Sequence, residues 1–168
     1  MPNMKVRMSG RNKKVLRENE QLGRKCNCRI PQDCPLSGEC LTKNIIYQAT
    51  VTQTNSDKTE KYVALTSTEF KKRLANHKTS FRLNNHSTAT TISGHIWDLK
   101  RQGIDFELNW RILAKSQSCS PASQKCWLCL KEKYFIMFKP ELATLNKRSE
   151  LFTACLHKKK IKLSSQKD

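Results

Sequence analysis

The sequence predicts a small α+β domain in which a three-stranded antiparallel sheet is flanked by helices and by cysteine clusters on its N- and C-terminal sides. Segments rich in β-branched residues are separated from stretches where apolar residues recur at helical spacing. The chain of 168 residues is long enough for one compact domain with extensions. Most of the eight cysteines fall into two groups, one near each end of the predicted domain.

The first regular elements are a predicted β-hairpin. The segment NIIYQATVTQ (44–53) is rich in β-branched residues, which favour strands. The polar turn NSDKTE (55–60) follows it, and KYVALT (61–66) has the composition of a second strand. Two strands joined by so short a turn are expected to pair antiparallel.

Two helices are predicted after the hairpin. Ser67 or Thr68 can cap the first, which is expected to continue through Asn84 because apolar residues recur along it at helical spacing. The second is predicted over residues 93–101, and Gly103 is expected to end it. His95 and Trp97 on this second helix are interpreted as packing residues and not as part of a site.

A third strand and a third helix complete the predicted order. The segment IDFELNWRIL (104–113) alternates as a half-buried strand does, and CWLCLKEKYFIMF (126–138) is a strongly apolar helix that Pro140 stops. A short helix is also predicted over residues 15–21. The tail at 158–168 is lysine-rich and is expected to be disordered.

The charge of the chain points to a polyanionic partner. Lysine and arginine number 32 against 14 acidic residues, a net charge of +18. Nucleic acid is the default partner at such a charge, and the binding is expected to be salt-sensitive and dominated by the backbone phosphates. A surface that is merely solubilising is the alternative. No apolar run approaches the roughly 20 residues of a membrane helix, and the N-terminus lacks the apolar core of a secretory signal, so no membrane partner is predicted.

The first cysteine group predicts a structural zinc site. Cys26, Cys28, Cys34 and Cys40 lie within the run CNCRIPQDCPLSGEC. Zinc prefers four nitrogen or sulfur ligands in a tetrahedron, and closely spaced cysteines provide a chelating pair. Proline and glycine residues supply the turns that could wrap the loop around an ion.

The second group is a further candidate zinc site. Cys126 and Cys129 form a CxxC pair, and Cys155 and His157 follow just before the lysine-rich end. Two alternatives remain: Cys126 and Cys129 can be small buried apolar residues on a helix, or the two groups can share ligands in one site. Cys119 is assigned no role.

The order of elements resembles that of the GIY-YIG endonucleases, over about residues 44–148. Ile45-Ile46-Tyr47 stands where the first motif would be, and Tyr62-Val63-Ala64 stands where the second would be. The remaining residues of the resemblance follow in the expected order: Arg73 and His77 on the first helix, Glu132 on the last helix, and Asn146 beyond it.

With the cysteines included, the chain is similar to the endonuclease domain of Penelope-like retroelements, which carry cysteine clusters around such a core. The resemblance implies a basic extension at 1–25, a zinc-binding segment at 26–43, a nuclease domain at 44–157 and a basic tail at 158–168. In those elements the domain normally follows a reverse transcriptase. An expressed fragment, a truncated copy or a host-recruited gene is therefore expected here.

The resemblance also implies a role for each site residue. Glu132 would bind catalytic Mg²⁺ or Mn²⁺, and Arg73 would stabilise the charge on the scissile phosphate. His77 would orient the nucleophile or relay a proton. Tyr47 would position or activate water with support from Tyr62. Asn146 would lie near the active site.

The residues alone leave more ordinary interpretations open. Glu132 can lie at a solvated helix edge, and Arg73 can pair with Glu69 four residues before it. Tyr47 and Tyr62 can be core aromatics, and Asn146 can cap a helix or turn.

Two residues depart from the family motifs. Ile45 replaces the glycine of the first motif, a change that this branch tolerates. Ala64 replaces the glycine of the second motif. Alanine costs little there if its φ is negative, but a positive φ would cost about 1 kcal/mol and could misplace Tyr62.

The functional prediction is a metal-dependent DNA endonuclease that nicks its target and acts in the nucleus. The alternative is a zinc-stabilised nucleic-acid-binding module with impaired catalysis. RNA or a reverse transcriptase domain is a further partner in related elements. The sequence indicates neither a target site nor an oligomeric state.

Overall fold

A computed structural model describes residues 24–117 and 126–147, together with Leu151 and Cys155. The chain divides into two compact units, one ending at Leu41 and one beginning at Thr42. The predicted helix at 15–21 and the tail at 158–168 lie outside the described residues. No helix within the described ranges is long and apolar enough to span a membrane.

The described part of the first unit, residues 24–41, is a loop with little regular structure. A single 3-10 turn covers Pro31–Asp33, and Gly38 has a φ of 93°, a conformation that glycine adopts without strain. The backbone amide of Leu41 donates to the carbonyl of Lys25 at 3.0 Å, which closes the loop. Cys34, Leu36 and Cys40 are its buried residues in the described part.

The second unit is built around a three-stranded antiparallel sheet with the order β2-β1-β3. Three helices accompany it, which confirms the predicted α+β class. The elements are β1 (Ile45–Gln53), β2 (Thr59–Thr66), α1 (Phe70–Arg82), α2 (Thr91–Arg101), β3 (Phe106–Lys115) and α3 (Trp127–Phe138).

Strand β1 is the central strand and is buried on both faces. Its first five residues, Ile45 to Ala49, are all buried, which is the pattern of a strand covered on two sides. Tyr47 lies opposite Ala64 of β2 and Ile112 of β3. Since side chains alternate along a strand, Tyr47 and Ile46 face opposite sides of the sheet.

Each face packs against different helices. On the Tyr47 face, the Tyr47 ring meets Phe70 of α1 edge-on, with ring centroids 5.1 Å apart. On the opposite face, Ile46 and Val63 form a buried cluster with Leu128 of α3. Burial of these apolar side chains is the main source of stability for the unit.

The start of α1 corrects one expectation. Helix α1 begins at Phe70 with Glu69 as its N-cap, and neither Ser67 nor Thr68 caps it. The Thr68 hydroxyl lies 3.3 Å from that of Thr66, while the Phe70 amide donates to the carbonyl of Thr42 at 3.1 Å. A backbone contact from a distant segment therefore replaces the predicted side-chain cap.

Other boundaries also shift. Helix α1 ends at Arg82, before Asn84, which begins a separate 3-10 turn. Helix α2 begins two residues earlier than predicted because the Thr90 hydroxyl accepts from the amide of Ser93 and caps it. Gly103 has a φ of 67° directly after α2, as expected for a glycine that ends a helix.

Candidate active site

The candidate site centres on the hydroxyl of Tyr47, which contacts an arginine and a histidine of α1. The Nε of Arg73 donates to Tyr47 Oη at 3.0 Å. Nε2 of His77 lies 2.8 Å from the same oxygen. Because a guanidinium can only donate, Tyr47 Oη is the acceptor of the Arg73 bond, and the tyrosine proton is left for His77 in the tautomer whose Nε2 is unprotonated.

The helical spacing of Arg73 and His77 explains why both reach one oxygen. Residues four apart lie on the same side of an α-helix, one turn above the other. That side of α1 faces the sheet, since Phe70, Leu74 and Phe81 are buried on it. Tyr47 projects from the central strand between the two side chains.

Arg73 does not form the ion pair with Glu69 that the sequence allowed. Glu69 instead lies 3.7 Å from the Nζ of Lys43 and 3.5 Å from that of Lys72. Within the described ranges, the hydrogen bond of the Arg73 side chain is the one from Nε to Tyr47, while Tyr62 and Glu132 act on it electrostatically. Its two terminal nitrogens therefore retain donors for another acceptor.

His77 lies in an aromatic enclosure that keeps its imidazole neutral. The ring is 2% exposed and stacks on Phe81 with centroids 5.7 Å apart, and Trp110 lies 5.4 Å away. Burial, together with the positive charge of Arg73, lowers the pKa of His77 to about 3. The imidazole is therefore available as a hydrogen-bond acceptor at neutral pH.

The same surroundings hold Tyr47 in its protonated form. Burial raises the pKa of Tyr47 to about 12, against the opposing effects of the charge and hydrogen bond of Arg73. The negative charge of Glu132 raises this pKa further. Burial disfavours the charged form of Arg73, but the interactions with Tyr47, Tyr62 and Glu132 outweigh it and raise the pKa of Arg73.

Glu132 of α3 acts electrostatically on this group, although α3 packs on the Ile46 face of the sheet. Its charge acts on both Tyr47 and Arg73, and its side chain is half-buried. At 100° per residue, Glu132 lies on the same side of α3 as Leu128 and Phe135, opposite the exposed Tyr134. Glu132 thus does not lie on the solvent-facing stripe of the helix.

Tyr62 is a residue of strand β2, and Asn146 is hydrogen-bonded to that strand. Tyr62 is buried, and its ring meets that of His77 edge-on with centroids 6.4 Å apart. The amide side chain of Asn146 pairs with the backbone of Val63, accepting from its nitrogen and donating to its carbonyl, both at 2.8 Å. Asn146 therefore holds the edge of β2 next to Tyr62.

Ala64 occupies the position of the motif glycine without strain. It lies inside β2 and does not have a positive φ, whereas Ser37, Asn44 and Asp57 are the non-glycine residues with positive φ within the described ranges. It is 4% exposed and pairs directly with Tyr47. The backbone freedom of glycine is thus not needed here, and Ala64 leaves Tyr62 in a regular strand.

His95 and Trp97 lie outside this group. The indole nitrogen of Trp97 donates to the carbonyl of Ser80 at 2.8 Å, linking α2 to α1. Burial lowers the pKa of His95, whose Nε2 is buried with no hydrogen-bond partner among the described residues.

Gln48 was not singled out in the sequence but is a buried polar residue of the central strand. Its Oε1 accepts from Nε of Arg111 and its Nε2 donates to the carbonyl of Leu142, both at 2.6 Å. A polar residue within the apolar run IIYQATV is the signal that could have identified it.

The acid stability of the protein should report the neutral state of His77. The unfolded chain takes up a proton at His77 below its ordinary pKa of 6.5, whereas the folded chain does so only near pH 3. The stability contributed by His77 is therefore complete above pH 6.5 and falls by about 1.4 kcal/mol per unit as the pH drops towards 3. Urea unfolding between pH 6.5 and 4.5 measures this slope.

The His77→Phe variant should flatten this pH dependence, because it keeps an aromatic ring and removes the titrating group. His86→Phe is the matched control, since His86 is exposed. Equal slopes in the natural protein and in His77→Phe would contradict a neutral, buried His77.

The first cysteine cluster has the geometry of a metal site. The Sγ atoms of Cys26, Cys28, Cys34 and Cys40 all lie within 4.8 Å of one another. Cys40 Sγ lies 3.6 Å from that of Cys26 and 3.7 Å from that of Cys28. Metal–sulfur bonds of about 2.3 Å in a tetrahedron give sulfur–sulfur edges of about 3.8 Å, so the four sulfurs could hold a zinc ion.

Backbone amides support thiolates in this cluster. Burial opposes ionisation of Cys34, but hydrogen bonds from the amides of Leu36 and Gly38 lower its pKa to about 6. Burial raises the pKa of Cys40 to about 12. None of the seven described cysteines is in a disulfide.

Loss of one ligand should unfold the first unit. With so little regular structure, residues 24–41 are expected to derive their order from metal binding. Cys40→Ser should remove one metal equivalent and make this segment a rapid protease target, with the exposed Gln32→Ala as the control. Metal content measured by atomic emission, followed by limited proteolysis, tests this. An ordered, protease-resistant segment without the metal would contradict it.

The second cluster brings together three sulfurs. Cys126, Cys129 and Cys155 lie within 4.8 Å of one another and pack against the buried cluster on the Ile46 face. Burial raises the pKa of Cys129. The three thiols could hold a metal ion, and His157, the predicted fourth ligand, lies outside the described residues.

The described cysteines form one group of four and one group of three, and no described cysteine belongs to both. No protein-family model, no curated protein and no solved structure matches this chain.

Proposed function

We propose that this protein is a metal-dependent DNA endonuclease of the GIY-YIG type, in which Tyr47, Arg73, His77 and Glu132 form the catalytic group. The observation that carries the proposal is the contact of Arg73 and His77 with one tyrosine hydroxyl. The resemblance names all three residues. Arg73 and His77 lie 26 and 30 residues after Tyr47 in the chain, and both contact its hydroxyl.

Arg73 is suited to a phosphodiester. Its hydrogen bond to Tyr47 uses Nε, which leaves the donors of the terminal nitrogens for phosphate, and a planar guanidinium matches the geometry of phosphate oxygens. The Nε bond to Tyr47 orients the guanidinium plane. In the proposed reaction Arg73 binds the scissile phosphate and stabilises the charge that develops on it in the transition state.

Glu132 is the proposed ligand of the catalytic cation. Mg²⁺ prefers oxygen ligands and is commonly held by one or two carboxylates together with substrate phosphate, so a single half-buried carboxylate beside a phosphate-binding arginine fits it. When bound, the cation neutralises phosphate charge and offsets the carboxylate charge that raises the pKa of Tyr47.

Tyr47 and His77 are the proposed proton-handling groups. A neutral His77 accepts a hydrogen bond from the Tyr47 hydroxyl, while the Arg73 contact favours negative charge on the same oxygen. Tyr47 would position the attacking water and take its proton while passing its own phenolic proton to Nε2 of His77, so that one proton moves from water to the imidazole. The new bond from the water oxygen to phosphorus would form as the bond from phosphorus to the leaving oxygen breaks, and the leaving oxygen would take up a proton from solvent. Tyr62 packs against His77 and keeps its ring in place.

Zinc at the cysteine clusters is proposed to be structural, and the net charge of +18 supports binding to the DNA backbone. The competing proposal is a nucleic-acid-binding module without catalysis. It explains the charge and the cysteines, but it gives no reason for a buried arginine–tyrosine–histidine centre.

Separate measurements of cleavage and binding test the proposal. Arg73→Ala should reduce nicking of supercoiled plasmid by about 10² to 10³-fold, because one preorganised donor to the transition state is lost. Filter binding to the same plasmid should change by less than about tenfold, since one contact of many is removed. Arg82→Ala, an exposed arginine at the end of α1, is the control. Equal losses of binding and cleavage in Arg73→Ala would favour the binding module.

A further inference from the structure

Helix α3, which carries Glu132, begins inside the second cysteine cluster. Cys126 is the N-cap of this helix and Cys129 lies in its first turn, whereas Cys155 comes from a later part of the chain. The Cys126 side chain makes no capping hydrogen bond, and the first turn contains no acidic residue. The helix start therefore lacks both of the local features that usually stabilise it.

The second cysteine cluster also connects this end of α3 to the sheet. Cys126 is 4% exposed and belongs to the buried cluster that includes Ile46 of β1 and Val63 of β2. Cys129 and Cys155 pack against the same cluster. A metal ion that cross-links the three sulfurs would fix the helix, the later chain segment and the sheet to one another.

Glu132 is close to this cross-link along the helix. It follows Cys129 by three residues, which is a rise of about 4.5 Å and a rotation that leaves both on the sheet-facing side. The charge of Glu132 reaches Tyr47 and Arg73 from this position. A shift at the cysteine end of α3 would therefore move Glu132 relative to the Tyr47 hydroxyl.

We propose that a metal ion bound by Cys126, Cys129 and Cys155 sets the position of Glu132, so that occupancy of this cluster controls cation binding at the active site. The cysteines are thus positioning residues that act through Glu132. A divalent ion with three thiolates has a net charge of −1, which is favourable at a helix N-terminus. The consequence for cleavage rests on the proposed endonuclease function; the consequence for α3 does not.

The experiment compares full-length Cys129→Ala with Cys129→His and Cys28→Ala. Each protein is loaded with Co²⁺, whose sulfur-to-metal absorption reports thiolate ligation, and α3 is followed by hydrogen exchange of residues 127–138. Cys129→Ala should lose one equivalent of Co²⁺, and its α3 amides should exchange at least about tenfold faster. Nicking should fall by a similar factor.

The two companion variants separate positioning from a general loss of stability. Cys129→His offers a replacement ligand, so added Co²⁺ should restore slow exchange in α3 and should not do so in Cys129→Ala. Cys28→Ala should lose its equivalent from the first cluster and leave exchange in α3 unchanged.

Retention of the full Co²⁺ content in Cys129→Ala would overturn the inference, and so would loss of the metal without a change in α3 exchange. If the natural protein does not nick DNA but α3 exchange depends on Co²⁺ as described, the endonuclease proposal fails and the control of α3 stands. If nicking is observed and does not change in Cys129→Ala, the endonuclease proposal stands and control of Glu132 by the second cluster fails.

Discussion

Glu132→Gln is expected to lower Mg²⁺-dependent nicking by about 10³-fold, the largest effect of any single substitution proposed here. The amide keeps the size of the side chain and removes the charge that would bind the cation. Losing several kcal/mol of charge stabilisation in the transition state corresponds to a loss of this order. Because Glu132 is half-buried, the fold should persist, and the melting temperature of the variant checks this.

The matched control is Glu141→Gln. Glu141 lies in the 3-10 turn that follows α3 and is exposed, so its substitution should leave nicking within about twofold of the natural rate. A Glu132→Gln protein that nicks at the natural rate with the same Mg²⁺ dependence would exclude Glu132 as the metal ligand.

Tyr47→Phe is expected to reduce nicking by about 10² to 10³-fold, the range for loss of a proton-transfer group. The ring contacts with Phe70 and Trp110 remain, but Arg73 Nε and His77 Nε2 lose the oxygen between them. Leaving buried polar groups without a partner should also cost about 1 to 3 kcal/mol of stability. Single-turnover nicking and urea unfolding measure the two effects.

Tyr134→Phe provides the comparison for this variant, because Tyr134 is half exposed on α3 and its hydroxyl lies away from the sheet-facing side. It should retain activity and stability. If Tyr47→Phe also retained full nicking activity, Tyr47 would be a packing residue only, and water activation would have to come from another group.

The elements of the fold were largely predictable because their signals are local. The β-branched run at 44–53 and the apolar periodicity of 126–138 are each contained in one segment, and both elements form close to the predicted ends. The predicted cap of α1 was wrong because the amide of Phe70 donates to the carbonyl of Thr42, more than 25 residues earlier in the chain. Sequence periodicity does not contain that contact.

Part of the site was also predictable from local sequence signals. The spacing of Arg73 and His77 placed them on one helix face, but the choice of Tyr47 over Glu69 as the partner of Arg73 depends on how α1 packs on the sheet. The sequence likewise could not show whether the backbone at Ala64 is strained. In the structure β2 continues through this position without a positive φ.

The cysteine clusters differ in how far sequence could define them. Cys26, Cys28, Cys34 and Cys40 are close in sequence, and their grouping follows from short loops. Cys155 joins Cys126 and Cys129 only through the path of the chain after α3, so the sequence left open whether these residues form a site or pack in the core.

We propose that the Tyr47 centre and Glu132 together hydrolyse phosphodiesters with the help of a divalent cation. The most direct measurement is conversion of supercoiled plasmid to open circles by the natural, zinc-loaded protein, with Mg²⁺ and with a chelator that leaves the cysteine-bound zinc in place. We expect open circles to accumulate with Mg²⁺ and not without it. Intact plasmid in the presence of Mg²⁺, with folded protein bound to it, would contradict the account.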